Sequence, residues 1–171
     1  MKQFFLPLAF GIFTLALSGC AGYRLGGQKP AHLSGITKLA VPTFENLTLE
    51  PRIASLLTNA VIKQLQVNGG YEIVSNEDAE AVLEGKVSTI NRSQFRSDRN
   101  NVLRTSQLLL TLHSEFVIRD PNSGNAIHTG RANASSYIVL DANVQLSEAQ
   151  ALEDAAQRLA ATIANDITEG W

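Results

Sequence analysis

Cysteine is almost missing from this chain: Cys20 is the only one in 171 residues, so no disulfide can form within it. The three histidines, His32, His113 and His128, are far apart in sequence, and no H-E-x-x-H or other metal-ligand spacing occurs. There is no G-x-S-x-G nucleophile turn, and Gly69 and Gly70 do not open a helix as a phosphate loop does. The usual handles for catalysis are absent, so neither enzyme activity nor a cofactor is expected, and the histidines read as ordinary surface or core residues. Acidic neighbours such as Glu77 and Asp78 read as turn and cap residues. Neither sign of charge dominates, with 14 basic and 16 acidic side chains. That balance gives no general pull toward nucleic acid or anionic membrane, and no nucleic-acid partner is expected. Beyond the first 20 residues, no apolar run is long enough to cross a bilayer.

The N-terminus is different. Lys2 supplies a positive start, and residues 4–17 are apolar apart from Pro7, Gly11 and Thr14. This is the length of a signal-peptide core and too short for a hydrocarbon layer of about 30 Å. It ends in Leu17, Ser18, Gly19 and Cys20, the pattern of a lipobox, in which small residues let the chain lie extended in a peptidase and the thiol takes up the lipid. Residues 1–19 are read as a removable signal peptide and Cys20 as the lipidated first residue of the mature chain. Acyl chains contribute about 0.8 kcal/mol per buried CH₂, so a multiply acylated terminus is a durable membrane anchor. Residues 20–35 hold four glycines and Pro30 and read as a flexible tether. Residues 36–171 suit a single domain with a core of its own.

Within that domain, residues 36–41 (ITKLAV) form a short apolar run ended by Pro42, a buried-strand signal. After Pro51, suited to the first turn of a helix, Ile53, Leu56, Leu57, Ala60, Val61 and Leu65 mark one helical face. Gly69 and Gly70 stop it. Residues 71–74 (YEIV) form a short strand candidate. From 81 to 95 alternation is partial: Leu83 and Val87 share one face and Ile90 the other, a phase change that predicts a bulge. A polar turn is read at 97–101. In residues 102–119, Leu108, Leu110, Leu112, Phe116 and Ile118 oppose Gln107, Thr111, His113, Glu115 and Arg119, the signature of a sheet with one dry face. The run DPNSG at 120–124 is a turn, and residues 126–140 return as a long strand. Ser147 and Gln150 form a capping box with Ser147 as N-cap, ahead of an alanine-rich stripe of Leu152, Ala155, Ala156, Leu159, Ile163 and Ile167.

The expected fold is a two-layer α+β domain: two helices packed on one face of a four-stranded mixed sheet, in the order β-α-β-β-β-α. The second sheet face is left open, as a solvated or contact surface. Arg92, Arg96, Arg99 and Arg104 cluster around the 97–101 turn with Asp98 the only acid between them. Guanidinium groups grip phosphate or carboxylate in a fork, so these four are candidates for an anionic glycolipid head group; solubilising charge beside a strand turn is the plainer reading. Trp171 either seals the sheet–helix edge or inserts into a partner.

Gly22, Tyr23, Arg24 and Leu25 follow the cysteine; VPTFEN at 41–46 with Thr48 closes the first strand; LTN occurs at 57–59; DAEAVLEG occurs at 78–85. In this order, over nearly the whole mature chain, these runs resemble the LptE family of lipopolysaccharide-assembly lipoproteins. The resemblance implies two helices on a four-stranded mixed sheet. It also implies a plug inside a large LptD-like outer-membrane β-barrel that it helps to assemble, and delivery of lipopolysaccharide, bound through basic residues, to the outer leaflet. A position on the periplasmic side of the outer membrane follows, and Ala21 in place of aspartate after Cys20 fits that sorting. Residues 41–46 and 71–74 are also similar to periplasmic lipoproteins of the CsgG and LpoB group, which form a secretion pore or activate a cell-wall synthase. The start at 22–25 and the long hairpin favour LptE.

Overall fold

A computed structural model describes residues 29–97, 105–140 and 142–169; the expected signal peptide, Cys20, Arg99, Arg104 and Trp171 lie outside the described residues. A 3-10 turn, Ala31–Leu33, precedes β1 (Lys38–Ala40), β2 (Glu45–Asn46), α1 (Ile53–Asn68), β3 (Glu72–Ile73), β4 (Ala81–Ser97), β5 (Thr105–Arg119), β6 (Ala126–Val139) and α2 (Val144–Glu169). Among these residues no helix is long and apolar enough to cross a membrane.

The strands form one mixed sheet in the order β3-β1-β4-β5-β6, with β2 also paired to β4. β1 is parallel to β3 and to β4, which makes β1-α1-β3 a parallel crossover; β4, β5 and β6 are antiparallel. The two-layer α+β arrangement expected from the pattern is present. The sheet has six strands where four were expected: all five runs read as strands are present, the short one at 71–74 as the edge strand β3, and β2, two residues long, is added beyond β1 along the same side of β4.

α1 forms where its apolar stripe demands it. Ile53, Leu57, Val61 and Leu65 are buried, and each such side chain contributes about 1.5–3 kcal/mol by leaving water. It stops at Gly69, whose φ of 67° is left-handed and whose N–H donates to the Leu65 carbonyl over 3.1 Å; a β-carbon is disfavoured there. α2 buries Leu152, Ala155, Ala156, Leu159, Ile163 and Ile167, the whole predicted stripe, against β6, β5 and α1. Its start differs from expectation. The helix begins at Val144, and the Ser147 amide already donates to the Asn143 carbonyl. Ser147 is therefore inside the first turn, and its hydroxyl accepts the Val139 N–H at 2.8 Å. It ties the helix to the end of β6 instead of capping.

The alternation of β5 is complete: Leu110, Leu112, Ser114, Phe116 and Ile118 are buried under the helices and the residues between them are not. The phase change in β4 is a true irregularity, with the register shifting between Val87 and Thr89. This returns Ile90 to the helix side, opposite Leu112. The turn at 120–124 closes on Gly124 (φ 69°), with the Asp120 carboxylate accepting the N–H groups of Asn122 and Ser123 at 2.8 and 3.3 Å. Those two bonds hold its pKa below the ordinary aspartate value.

Candidate interaction surface

Three of the runs quoted for the family resemblance, at 41–46, 57–59 and 78–85, converge at one point under the helices; the run at 22–25 lies outside the described residues. Thr58, buried in α1, donates to the Ala54 carbonyl at 2.7 Å and accepts the Phe44 N–H at 2.9 Å. The Phe44 ring, 2% exposed, packs against Gly85 of β4, where a β-carbon would overlap it. Asn46 folds the next loop: its Oδ1 accepts from the N–H and hydroxyl of Thr48, and its Nδ2 donates to the Glu50 carbonyl. Glu80 joins the strands, one carboxylate oxygen accepting from Thr37 N, Thr37 Oγ1 and Lys38 N at 2.7, 3.0 and 3.1 Å. These residues build the frame.

The frame presents the sheet face turned away from the helices, which changes in character along the strands. At the β1 end it is charged. Lys86 pairs with Glu115 at 3.0 Å, Arg131 with the same carboxylate at 3.2 Å, and Arg119 with Glu84 at 3.1 Å. The Lys86 hydrogen bond and charge, with help from Arg131, hold Glu115 below the ordinary glutamate value. A concavity of about 770 Å³ opens over these groups. The middle is neutral and polar, with the Thr111 and Ser135 hydroxyls 2.8 Å apart beside Asn91, His113 and Asn133. At the far end Phe95 and Tyr137, both about half exposed, pack with ring centroids 4.6 Å apart. The charges of the β1 end are spent on one another, because Lys86, Glu115 and Arg131 are directly opposite on neighbouring strands and Arg119 is diagonal to Glu84, each contact joining opposite signs.

The predicted arginine cluster is divided. Arg92 is registered opposite Leu110, on the helix side, where its guanidinium grips Glu148 of α2 at 2.7 Å. A second register shift, between Gln94 and Arg96, places Arg96 opposite Gln107, in the open-face row, with its guanidinium 5.9 Å from the Phe95 ring. Arg99 and Arg104 lie outside the described residues. Two histidines distant in sequence meet. His32 Nε2 is 3.1 Å from His128 Nδ1, and His128 Nε2 is 3.2 Å from Asp166 Oδ2. No local spacing signals a contact across 96 residues. Among the described residues no group of three or more His, Cys, Asp or Glu side chains is arranged to hold a metal ion.

A family model described as LptE, lipopolysaccharide-assembly, matches residues 36–169, which is the whole sheet with both helices. The chain belongs to the LptE family. No curated protein matches it as a relative. The fold is shared with several solved structures. The PelC dodecamer of Paraburkholderia phytofirmans has a TM-score of 0.55 at 15% identity, covering 84% of this chain and 95% of that one. A minor lipoprotein of Acinetobacter baumannii has a TM-score of 0.53 at 23% identity, covering 77% and 90%. Protein XCC0632 of Xanthomonas campestris has a TM-score of 0.55 at 11% identity, covering 81% and 87%. At these identities the likeness is one of fold. Within this LptE-family chain, the quoted runs at 41–46, 57–59 and 78–85 are explained by the Phe44, Thr58 and Gly85 junction.

Proposed function

We propose that this protein is a non-catalytic outer-membrane lipoprotein, anchored at the periplasmic face through Cys20. It occupies the lumen of a large LptD-like β-barrel, assists that barrel's assembly and passes lipopolysaccharide toward the outer leaflet. The observation that carries this reading is the family match over residues 36–169. The open sheet face supports it: self-neutralised at one end, neutral and polar in the middle and aromatic at the other, it suits the polar interior of a barrel. The lipid anchor adds effective concentration, so modest direct contacts suffice for a durable complex. Arg96 and Arg99, with Arg104, are the proposed contacts for the lipopolysaccharide phosphates; Arg92, engaged by Glu148, takes the lesser part.

The test is affinity purification of the tagged full chain from membranes in mild detergent, followed by mass spectrometry. One large outer-membrane barrel in near-equal amount is the expected result. A ring of identical subunits, or a cell-wall synthase, overturns the plug reading. The anchor is tested separately by Cys20→Ala: the precursor should accumulate unprocessed, and normal maturation of the variant refutes lipidation.

A further inference from the structure

The 3-10 turn Ala31–Leu33 precedes the sheet and runs past the start of β6. Its apolar anchor is Leu33, fully buried; its polar anchor is His32. The His128 ring stacks on His32 with centroids 5.1 Å apart and bridges His32 to Asp166 of α2. We propose that His32, His128 and Asp166 form a proton-operated latch. It holds the strap of residues 29–35 on the β6–α2 layer and releases it when both imidazoles are protonated.

The argument is one of proton counting. Asp166 is a carboxylate and accepts, so His128 Nε2 carries a hydrogen. In the neutral ring Nδ1 is then bare and accepts the Nε2–H of His32. Adding one proton preserves the bond: it goes either to the far nitrogen of His32, or to His128 Nδ1, with His32 accepting through a bare Nε2. Adding a second proton destroys it. Two N–H groups then face each other across 3.1 Å, and two like charges are stacked. Among the described residues, the other groups at the strap do not compensate. Phe116 of β5 meets His128 with an uncharged ring. Lys29 is a further cation, occupied by the Ile36 carbonyl at 2.6 Å and by the Tyr71 ring; Glu80 is the acid that acts on it. Asp166 already holds His128.

The strap is the last part of the 20–35 segment expected to tether the domain, so its release extends the reach of that expected tether. That consequence rests on the Cys20 anchor; the latch itself does not.

Hydrogen exchange of the full chain in detergent micelles tests it, at about pH 7.5 and at about pH 5, below the range where free imidazole titrates. The reporters are the amides of Leu33 and Ile36, bonded to the Pro30 and Leu33 carbonyls. After correction for intrinsic rates, their exchange should rise several-fold to about tenfold at the lower pH, the effect of losing one hydrogen bond, while β5 stays protected. His32→Gln replaces an imidazole by an amide that donates or accepts as needed, so its strap should stay protected at both pH values. His32→Ala should exchange fast at both. Equal wild-type protection at the two pH values overturns the latch. So does an equal rise in His32→Gln, or loss of protection in β5 together with the strap.

Discussion

Phe44 occupies the space that a side chain at Gly85 would fill. A strand residue is thus reduced to backbone so that an aromatic from the preceding loop can lie on the sheet. Gly85→Ala should force the ring out of its place and cost about 1–3 kcal/mol, as overpacking does. Phe44→Ala should cost about 3–5 kcal/mol through the cavity. The two should be strongly non-additive in a denaturation cycle, because the second change relieves the first. Simple additivity would show that ring and glycine do not share the space.

The Thr58 hydroxyl is the partner that satisfies the Phe44 amide in the interior. Thr58→Val keeps the shape and strands that N–H, at a cost of about 1–3 kcal/mol. Thr58→Ser keeps the acceptor and should lose less. Urea midpoints of the three proteins decide it; equal losses for Val and Ser would assign the role to packing.

Glu80 has its pKa lowered, chiefly by the Thr37 backbone bond, then the Lys38 backbone bond. The folded value lies below the unfolded one, so its stabilisation is complete above the unfolded pKa and disappears as pH falls through the folded pKa. Wild-type stability should therefore fall more steeply than that of Glu80→Gln on acidification from about pH 5. Parallel curves in acid would mean that the carboxylate is not the group being titrated.

Reversing charge at Arg96 and Arg99 to Glu should weaken binding of lipopolysaccharide micelles, with a reduced salt dependence and an unchanged circular dichroism spectrum. Arg92→Ala should leave binding nearly intact, and at most about 1 kcal/mol of stability should go with its half-exposed pair to Glu148. If Arg92→Ala weakens binding as much as the double reversal, the register shift does not separate the arginines functionally.

Where burial repeats, the sequence is explicit. Leu110, Leu112, Phe116 and Ile118 announce their face, Ile90 betrays the irregularity after Val87, and Gly69 marks the end of α1. Elements held by single contacts leave no such trace. β2 is two residues paired to Lys86 and Val87, too short for any period. Ser147 has the pattern of a cap, yet the start of α2 is set by a carbonyl one turn earlier. Arg92 and Arg96, four apart, would share a face of a regular strand; the second register shift separates them, and only pairing with β5 reveals it. The contact of His32 with His128 is tertiary and has no local signature.

Residues 91–96 of β4 are exposed one after another, whereas Ala81, Val82 and Leu83 at its other end are all buried. One strand thus runs from a constrained region into an unconstrained one. Substitutions near Gly85 are tried against a closed interior, and those near Arg96 against little except their neighbours across the ribbon. Divergence should accordingly be uneven along a single strand: slow at its start, rapid over its last two turns of pleat. New contacts can be acquired at that distal end without endangering folding.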